Sequence, residues 1–261
     1  MAGYRAIDVS RTGRVVRVAL ARPDVRNAFD EVLIADLVRA FEETGRDADA
    51  RVLVLTGQGK AFCAGADLGW MGKMRAYSYE ENLADSLELA RMMRLLFDLP
   101  IPTVAAVNGA AIGGGNGLVA ACDIAVASSD AVFSLSEVRL GLVPACIGPY
   151  VIRKIGESAA RALFLTGRRI SATEAARVGL VSEVVPPECL SARVDEIVAD
   201  LLSAGREALR TCKELLARVP GLPLDEAGPL TAEMIARLRI GDEAQEGMAA
   251  FFEKRRPRFA D

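Results

Sequence analysis

Small residues at two places in the chain could build a site that stabilises negative charge. The stretch GAAIGGGNGLVAACDI (109–124) places three consecutive glycines before an apolar, alanine-rich segment. Glycines between a strand and a helix let the backbone turn sharply and let another molecule approach it closely. The helix N-terminus offers free N–H groups and a partial positive charge, which suit an anion or a developing oxyanion.

A second run of small residues supports this interpretation. GKAFCAGADL (59–68) places Ala64, Gly65 and Ala66 shortly after a predicted buried strand. One N–H group from this loop and one from the glycine run could converge on a single oxygen atom. Two such donors form an oxyanion hole, in which each is worth about 3 kcal/mol in a transition state, and thioester carbonyls that become enolates suit it. Tight packing of a helix on a strand would also require glycines here, and the stretch does not match the GxGxxG or GxxxxGK[ST] nucleotide patterns.

The composition excludes several kinds of chemistry. The 261 residues include no histidine, so a Ser-His-Asp triad, a Cys-His pair and histidine metal ligands are all excluded. The five cysteines are widely spaced without a CxxC pair, which predicts reduced thiols in a cytoplasmic protein and no metal site. A net charge of −3 disfavours nucleic acid and anionic membranes as partners. The N-terminus resembles no signal peptide, and the apolar segment 103–127 is too polar to span a bilayer.

Strands that alternate with helices must position these loops, and they predict parallel βαβ units in an α/β fold. After residue 150 the chain becomes mostly helical, which favours an α/β core to about residue 195 and a helical region that packs on the core or on a partner subunit. The predicted strands are 15–22, 51–57, 103–109, 124–128 and 131–138, the predicted helices are 29–48, 78–99, 114–123, 150–166, 172–178, 190–217 and 226–254, and 184–190 is a predicted connector.

Four motifs resemble the crotonase, or enoyl-CoA hydratase/isomerase, superfamily. RPDVRNAF (22–29) and SEVRLGLVP (136–144) join the two loops above in the family's order and spacing, and the similarity extends from about residue 10 to FFEKRRPRF (251–259). The resemblance implies a crotonase-like ββα spiral core over residues 1–195 and a helical C-terminal trimerisation region over 196–261. It also implies a homotrimer or dimer of trimers and an acyl-CoA substrate, with no further cofactor because the CoA thioester is part of the substrate.

The resemblance also assigns roles to individual residues. It places the two oxyanion donors on the backbone N–H groups of Ala66 and Gly114. The residues that it implies for substrate and CoA binding are Arg26 at the CoA phosphates, Ala28, Ala64 and Leu68 along the adenine and pantetheine, and Phe251 with Lys254 reaching the CoA of a neighbouring subunit.

The chain departs from the family pattern at one catalytic position. Typical hydratases of this family carry two catalytic glutamates, which correspond here to Gly117 and Glu137. A site with two carboxylates activates water with both groups and uses one to protonate the α-carbon. With Glu137 alone as acid and base, the family offers two interpretations. One is a Δ3,Δ2-enoyl-CoA isomerase, in which one carboxylate moves a proton between two carbons.

The other interpretation is a hydratase or dehydratase for a bulkier substrate, and the sequence favours it. We expect the missing side chain of Gly117 to leave space for a 3-methyl branch or a distal carboxylate. PACIGPYV (144–151) replaces the family's usual PGAGGTQR. The sequence around Gly117 and Glu137 resembles the branch of the family that acts on 3-methylglutaconyl-CoA and 3-hydroxy-3-methylglutaryl-CoA in leucine degradation. Candidate partners for a distal carboxylate are Lys73, Arg75, Tyr77 and Tyr150. A non-catalytic trimer that binds acyl-CoA or RNA is a further alternative, which the retained Glu137 and the acidic charge disfavour.

Overall fold

The computed structural model describes residues 3–260 and contains two sheets built mainly from parallel strands. The first sheet has six strands in the order β1-β2-β3-β5-β7-β10. Only the β1–β2 pair is antiparallel in this sheet. Its strands are β1 (Ile7–Thr12), β2 (Val15–Leu20), β3 (Val52–Gly57), β5 (Thr103–Val107), β7 (Ile124–Ser128) and β10 (Glu183–Val185).

The second sheet is made of four strands of three residues each, in the order β4-β6-β8-β9. Three of them follow a long strand of the first sheet after a short turn, so that a pair of strands and then a helix repeats along the chain. The members are β4 (Ala61–Cys63), β6 (Ala110–Ile112), β8 (Val132–Ser134) and β9 (Arg169–Ser171). This arrangement is the predicted ββα spiral, and the α/β fold class is therefore confirmed.

Helices cover both faces of the six-stranded sheet, because its central strands are apolar on both sides. One face carries the larger core, in which Leu33, Leu37 and Phe41 are buried against the strands. Val194, Ile197 and Val198 pack on the other face. The helices are α1 (Glu31–Arg46), α2 (Leu68–Met74), α3 (Tyr79–Phe97), α4 (Gly114–Ala121), α5 (Gly148–Thr166), α6 (Ala172–Arg177), α7 (Leu190–Ser203), α8 (Arg206–Arg218), α9 (Leu224–Ile240) and α10 (Asp242–Phe252).

Two of the predicted helices were wrong in extent. The segment 190–217 is two helices, α7 and α8, and 226–254 is also two, α9 and α10. The breaks fall at Gly205 and Gly241, which both have extended backbone. Glu243 stabilises the first break, because its carboxylate accepts the N–H groups of Glu207 and Ala208 at the start of α8.

Other predicted boundaries also need correction. The predicted connector 184–190 begins inside strand β10, and the predicted strand 131–138 is ordered as a strand only over β8. The proposed division of the chain after residue 195 falls within α7, a helix that packs on the sheet. Among residues 3–260, no helix is both long and apolar enough to cross a membrane.

We expect Leu37→Ala in α1 to lower the free energy of unfolding by about 2–5 kcal/mol, because Leu37 is fully buried and the truncation leaves a cavity. Urea unfolding of the purified protein measures this. Leu87→Ala on α3 is the control, since this leucine is 58% exposed and its loss should change stability by no more than about 0.5 kcal/mol. Equal losses for both variants would contradict the described core.

Candidate active site

The glycine run forms a turn that side chains would block. Gly113 has φ +51°, which L side chains rarely adopt, and a Cβ on it would lie 3.0 Å from Oε1 of Glu137. Its N–H donates to the carbonyl of Ser134 at 2.8 Å, which fixes the turn on β8. Helix α4 starts at the next residue, Gly114, so the free N–H groups of its first turn emerge beside the Glu137 carboxyl.

The second small-residue loop lies directly against this turn. Phe29 forms a bridge with Ala66, in which the Phe29 N–H donates to Gly65 at 2.7 Å and the Phe29 carbonyl accepts from Asp67 at 2.8 Å. The bridge uses the Gly65 carbonyl and the Asp67 N–H, so the N–H of Ala66 points away from Phe29. A Cβ on Gly65 would lie 4.0 Å from the Cα of Gly113. The loops that carry the predicted oxyanion donors are therefore in contact.

The N–H groups of Ala66 and Gly114 are free to bind a ligand. Neither group donates to an acceptor in the part of the chain that the structure describes. Ala66 is exposed and Gly114 is half-buried. The arrangement can place two donors on one carbonyl oxygen, as an oxyanion hole requires.

Glu137 is the titratable side chain beside this turn. It is the first residue of a 3₁₀ helix, Glu137–Leu140, rather than part of the predicted strand. Its Oε2 atom is buried and has no hydrogen-bond partner within residues 3–260. Burial raises the pKa of the Glu137 carboxyl, and its own backbone N–H offsets this only partly. A carboxyl of raised pKa suits proton transfer near neutral pH.

The structure contradicts the expectation of empty space at Gly117. A Cβ on Gly117 would lie 2.8 Å from the Cβ of Ile147 and 2.9 Å from Cε of Met93, and it would be closer still to Cγ2 of Ile147. Both side chains are buried. The volume of the missing carboxylate is therefore filled by apolar groups from two other elements, α3 and the start of α5.

Four predicted CoA-binding residues lie in two segments, Arg26 and Ala28 before α1, and Ala64 and Leu68 after β4. Arg26 is exposed, and its carbonyl accepts the N–H of Ala64 at 3.0 Å. Ala28 is buried, and Leu68, the first residue of α2, is 85% exposed. These residues surround the oxyanion donor Ala66, and their contact with CoA stays a prediction.

Within one chain, Phe251 and Lys254 do not lie beside the four residues just described. Both are exposed at the end of α10. The segment after them is tied by Arg51, whose guanidinium donates to the carbonyl of Phe259 at 3.4 Å. Arg51 lies at the amino end of β3, whereas Ala66 lies beyond the carboxyl end of that strand. Phe259, which Arg51 binds, is therefore at the opposite end of the strands from Ala66. A role for Phe251 and Lys254 in a neighbouring subunit stays a prediction.

Arg22 joins the loops of the site, and the sequence did not single it out. Its guanidinium lies 2.8 Å from Oδ2 of Asp30 and 3.3 Å from Oδ2 of Asp67. These aspartates are the N-caps of α1 and α2. Burial alone would raise the pKa of Asp67, but N–H donation by Trp70 and Gly69 and the charge of Arg22 hold it below its ordinary value. Asp-capped helices were readable from the sequence, but a shared arginine was not.

Asn27 is a second residue that the sequence did not single out. It is fully buried with φ +56°, next to Arg26 with φ +54°. Its amide donates to the carbonyls of Gln58 and Ala61 at 2.9 and 2.8 Å, and its Oδ1 accepts the N–H of Arg22 at 2.9 Å. Asn tolerates the left-handed region better than most residues, and these bonds fix the turn that presents Arg26.

Of the candidates for a distal carboxylate, Tyr150 is buried in the first turn of α5, and its role stays a prediction. Its ring packs on Phe97, 5.3 Å between centroids, in a cleft of about 540 Å³. Ala121 and Asp123 also line this cleft, so it lies at the C-terminal end of α4, away from Gly114. Lys73 is exposed and pairs with Glu31.

These features suit one class of protein, enzymes that polarise a carbonyl with backbone N–H groups and move a proton with a carboxyl. Comparison with known proteins agrees with this class. The enoyl-CoA hydratase/isomerase family model matches residues 10–261. A 2,3-dehydroadipyl-CoA hydratase of Escherichia coli is 34% identical over 254 residues, which are 96% of this chain and 97% of the relative.

Solved structures agree as well. An enoyl-CoA hydratase from Shewanella pealeana is 41% identical with a TM-score of 0.94, covering 98% of this chain and 96% of that one. Pseudomonas aeruginosa AtuE is 33% identical with a TM-score of 0.95, covering 98% of this chain and 100% of its own. The chain belongs to the enoyl-CoA hydratase/isomerase, or crotonase, family, and it is an enzyme with hydratase-type activity.

The raised pKa of Glu137 predicts a pH-dependent effect of Glu137→Gln on stability. In the unfolded chain the Glu137 carboxyl titrates at about pH 4.3. Above this pH the unfolded state ionises freely, whereas the buried carboxyl of the folded state ionises only at a higher pH. The free energy of unfolding therefore falls as the pH rises through this range. Glutamine removes this cost. The melting temperature of Glu137→Gln minus that of the parent should therefore be more positive at pH 8 than at pH 4.5.

Differential scanning calorimetry at the two pH values measures this difference. Glu188→Gln is the control, because Glu188 is exposed on a short 3₁₀ helix. Any change in its melting temperature reports the loss of an exposed carboxyl rather than of a buried one. A Glu137→Gln difference that stays flat, or falls with rising pH, would mean that the carboxyl is not destabilised by ionisation.

Proposed function

We propose that this enzyme adds water to, and removes it from, a short branched acyl-CoA, with 3-methylglutaconyl-CoA and 3-hydroxy-3-methylglutaryl-CoA as its substrate pair. The observation that carries the proposal is the environment of Glu137. Its buried carboxyl oxygen has no partner among residues 3–260 and lies beside the turn that presents Gly114. A neighbouring position that could have carried a second acid is apolar instead.

One carboxyl can perform both proton transfers of a dehydration. The Glu137 carboxylate removes a proton from the α-carbon, and the thioester carbonyl becomes an enolate whose oxygen accepts the N–H groups of Ala66 and Gly114. The enolate electron pair then forms the double bond and expels the β-hydroxyl group. Glu137 returns its proton to that hydroxyl, water leaves, and the carboxylate is regenerated. Hydration runs through the same steps in reverse.

Two points support a branched substrate. A 3-methyl group needs an apolar environment near the β-carbon, and the buried side chains of Ile147 and Met93 make the surroundings of Gly117, three residues after Gly114, apolar. A tertiary β-hydroxyl also leaves more readily than a secondary one, so its departure needs less assistance from a second acid. A distal carboxylate has a precedent in the name of the Escherichia coli relative, whose acyl group is dehydroadipyl.

The proposal includes binding of the CoA part and assembly into trimers. Arg26 is an exposed cation next to Ala28 and Ala64, which suits a CoA phosphate. Phe251 and Phe252 are both exposed with their rings 6.0 Å apart, an apolar pair that a neighbouring subunit would cover. In such a trimer, Phe251 and Lys254 would complete the CoA site of the adjacent subunit.

The test is to incubate purified enzyme with 3-hydroxy-3-methylglutaryl-CoA and follow the acyl-CoA by mass. We expect loss of one water and appearance of the conjugated enoyl thioester. Glu137→Gln should lower kcat by about 10²–10⁴-fold, because glutamine cannot transfer the proton, while CoA affinity stays within a few-fold. Glu188→Gln should match the parent enzyme.

The competing isomerase function gives a different result. An isomerase would leave the hydroxyacyl-CoA unchanged and convert a 3-enoyl-CoA to its 2-enoyl isomer, since one carboxylate suffices to move a proton between carbons. That outcome would overturn the proposed hydration and keep the role of Glu137. Full activity of Glu137→Gln in both reactions would overturn the mechanism.

A further inference from the structure

Gly117 lies in the middle of a helix, where glycine is unfavourable. A glycine inside a helix costs about 0.5–1 kcal/mol relative to alanine. The contacts explain its presence, because the Cβ of any other residue would lie 2.8 Å from the Cβ of Ile147 and 2.9 Å from Cε of Met93. Both distances are shorter than real Cβ contacts, so one of the two neighbours would have to move.

Ile147 has little freedom to move. It is 3% exposed and occupies the N-cap position of α5, and Pro149 follows within the first turn. Its N-terminal neighbour, Cys146, contacts α3, where the Sγ–H donates to the carbonyl of Ser86 at 3.5 Å. The side chain of Ile147 is therefore held on α4 by elements on both sides.

The contact between Gly117 and Ile147 lies close to Gly114 and to the carboxyl of Glu137. Gly117 follows the oxyanion donor Gly114 by three residues, so both lie on one face of α4. Gly113, one helical turn before Gly117, contacts the carboxyl of Glu137. Glu137 thus approaches the N-cap of α4 and Ile147 approaches the middle of the same helix, one acidic and one apolar.

We propose that Ile147 is a specificity-determining residue: it takes the volume of a side chain at position 117 and forms the apolar wall that selects acyl groups branched at the β-carbon. This inference rests on the proposed function for its substrate preference. The steric part does not depend on any activity, since it concerns only which residues positions 117 and 147 can hold together.

A double-mutant cycle of melting temperatures tests the steric part. Gly117→Ala in the parent should lower the melting temperature by about 5 °C or more, because the added methyl group overpacks against Ile147. In the Ile147→Gly background, the same alanine should be neutral or stabilising, because the Ile147 atoms are gone and alanine favours the helix. The remaining close atom, Cε of Met93, is the end of a flexible side chain that can move aside.

Ile147→Val is the matched control for this cycle. Valine keeps Cβ and a γ-methyl group beside Gly117, so Gly117→Ala should cost as much in this background as in the parent. Equal effects of Gly117→Ala in the parent, in the Ile147→Val background and in the Ile147→Gly background would show no coupling and would overturn the assignment of Ile147.

The substrate preference is tested with crotonyl-CoA and 3-methylcrotonyl-CoA, which differ by one β-methyl group. The parent should show a higher kcat/KM for the branched compound, and Ile147→Gly should lower the ratio of branched to unbranched by about 10-fold or more. Gly117→Glu with Ile147→Gly should raise hydration of crotonyl-CoA above that of Ile147→Gly alone, because a second carboxyl then has room.

The outcomes separate the two proposals. An unchanged substrate ratio in Ile147→Gly, with hydration intact, would overturn the role of Ile147 and leave the proposed function standing. Absence of hydration in the parent with both substrates and with 3-hydroxy-3-methylglutaryl-CoA would overturn the proposed function, while the melting-temperature cycle would still confirm or exclude the steric pair.

Discussion

The site depends on the approach of backbone to backbone without side chains between. Gly113 contacts Gly65 on one side and the carboxyl of Glu137 on the other. The three come from successive turns of the spiral, and their sequence separation means that only the packed fold brings them together. A Cβ at Gly113 would push the turn away from Glu137 and shift the N–H of Gly114. The geometry of the donors is therefore a property of close packing between the segments that follow β4, β6 and β8, neighbouring strands of the second sheet.

The carboxyl at this site destabilises the fold that holds it. A buried ionisable oxygen without a partner costs free energy, and Glu137 has no hydrogen-bond partner for Oε2 and no neighbouring cation that lowers its pKa in the described chain. Arg22, which lies in these loops, is engaged by two aspartates that cap helices. Arg22 therefore stabilises the loops, and the Glu137 carboxyl has no counter-ion among its neighbours. Such a distribution of charges is expected where a carboxyl is kept for its reactivity at a cost in stability.

Much of this could be predicted from the sequence, where the signal was local or carried by motifs. The strands β2, β3, β5 and β7 and amphipathic helices such as α1 follow from apolar spacing, whereas β1 is exposed at all but one position and was not predicted. The roles of Glu137 and of the two N–H donors are what the resemblance implies and stay predictions. The three-residue strands of the second sheet are too short for a periodic signal. The helix break at Gly205 depends on a contact with Glu243 from another helix, because one glycine does not by itself end a helix.

The expected empty volume beside Gly117 is filled by Ile147. This could not be predicted, because Ile147 lies far along the chain in another element. The same contact has a consequence for how such a site can change over generations. Two substitutions are needed to place a carboxylate at position 117, and they are not interchangeable in order. Glycine at position 147 first gives a loosened but foldable protein, since glycine is accepted at a helix N-cap. A carboxylate at position 117 first meets a blocked volume. The packing therefore favours one order of substitution, in which the side chain at position 147 shrinks before a carboxylate enters at position 117.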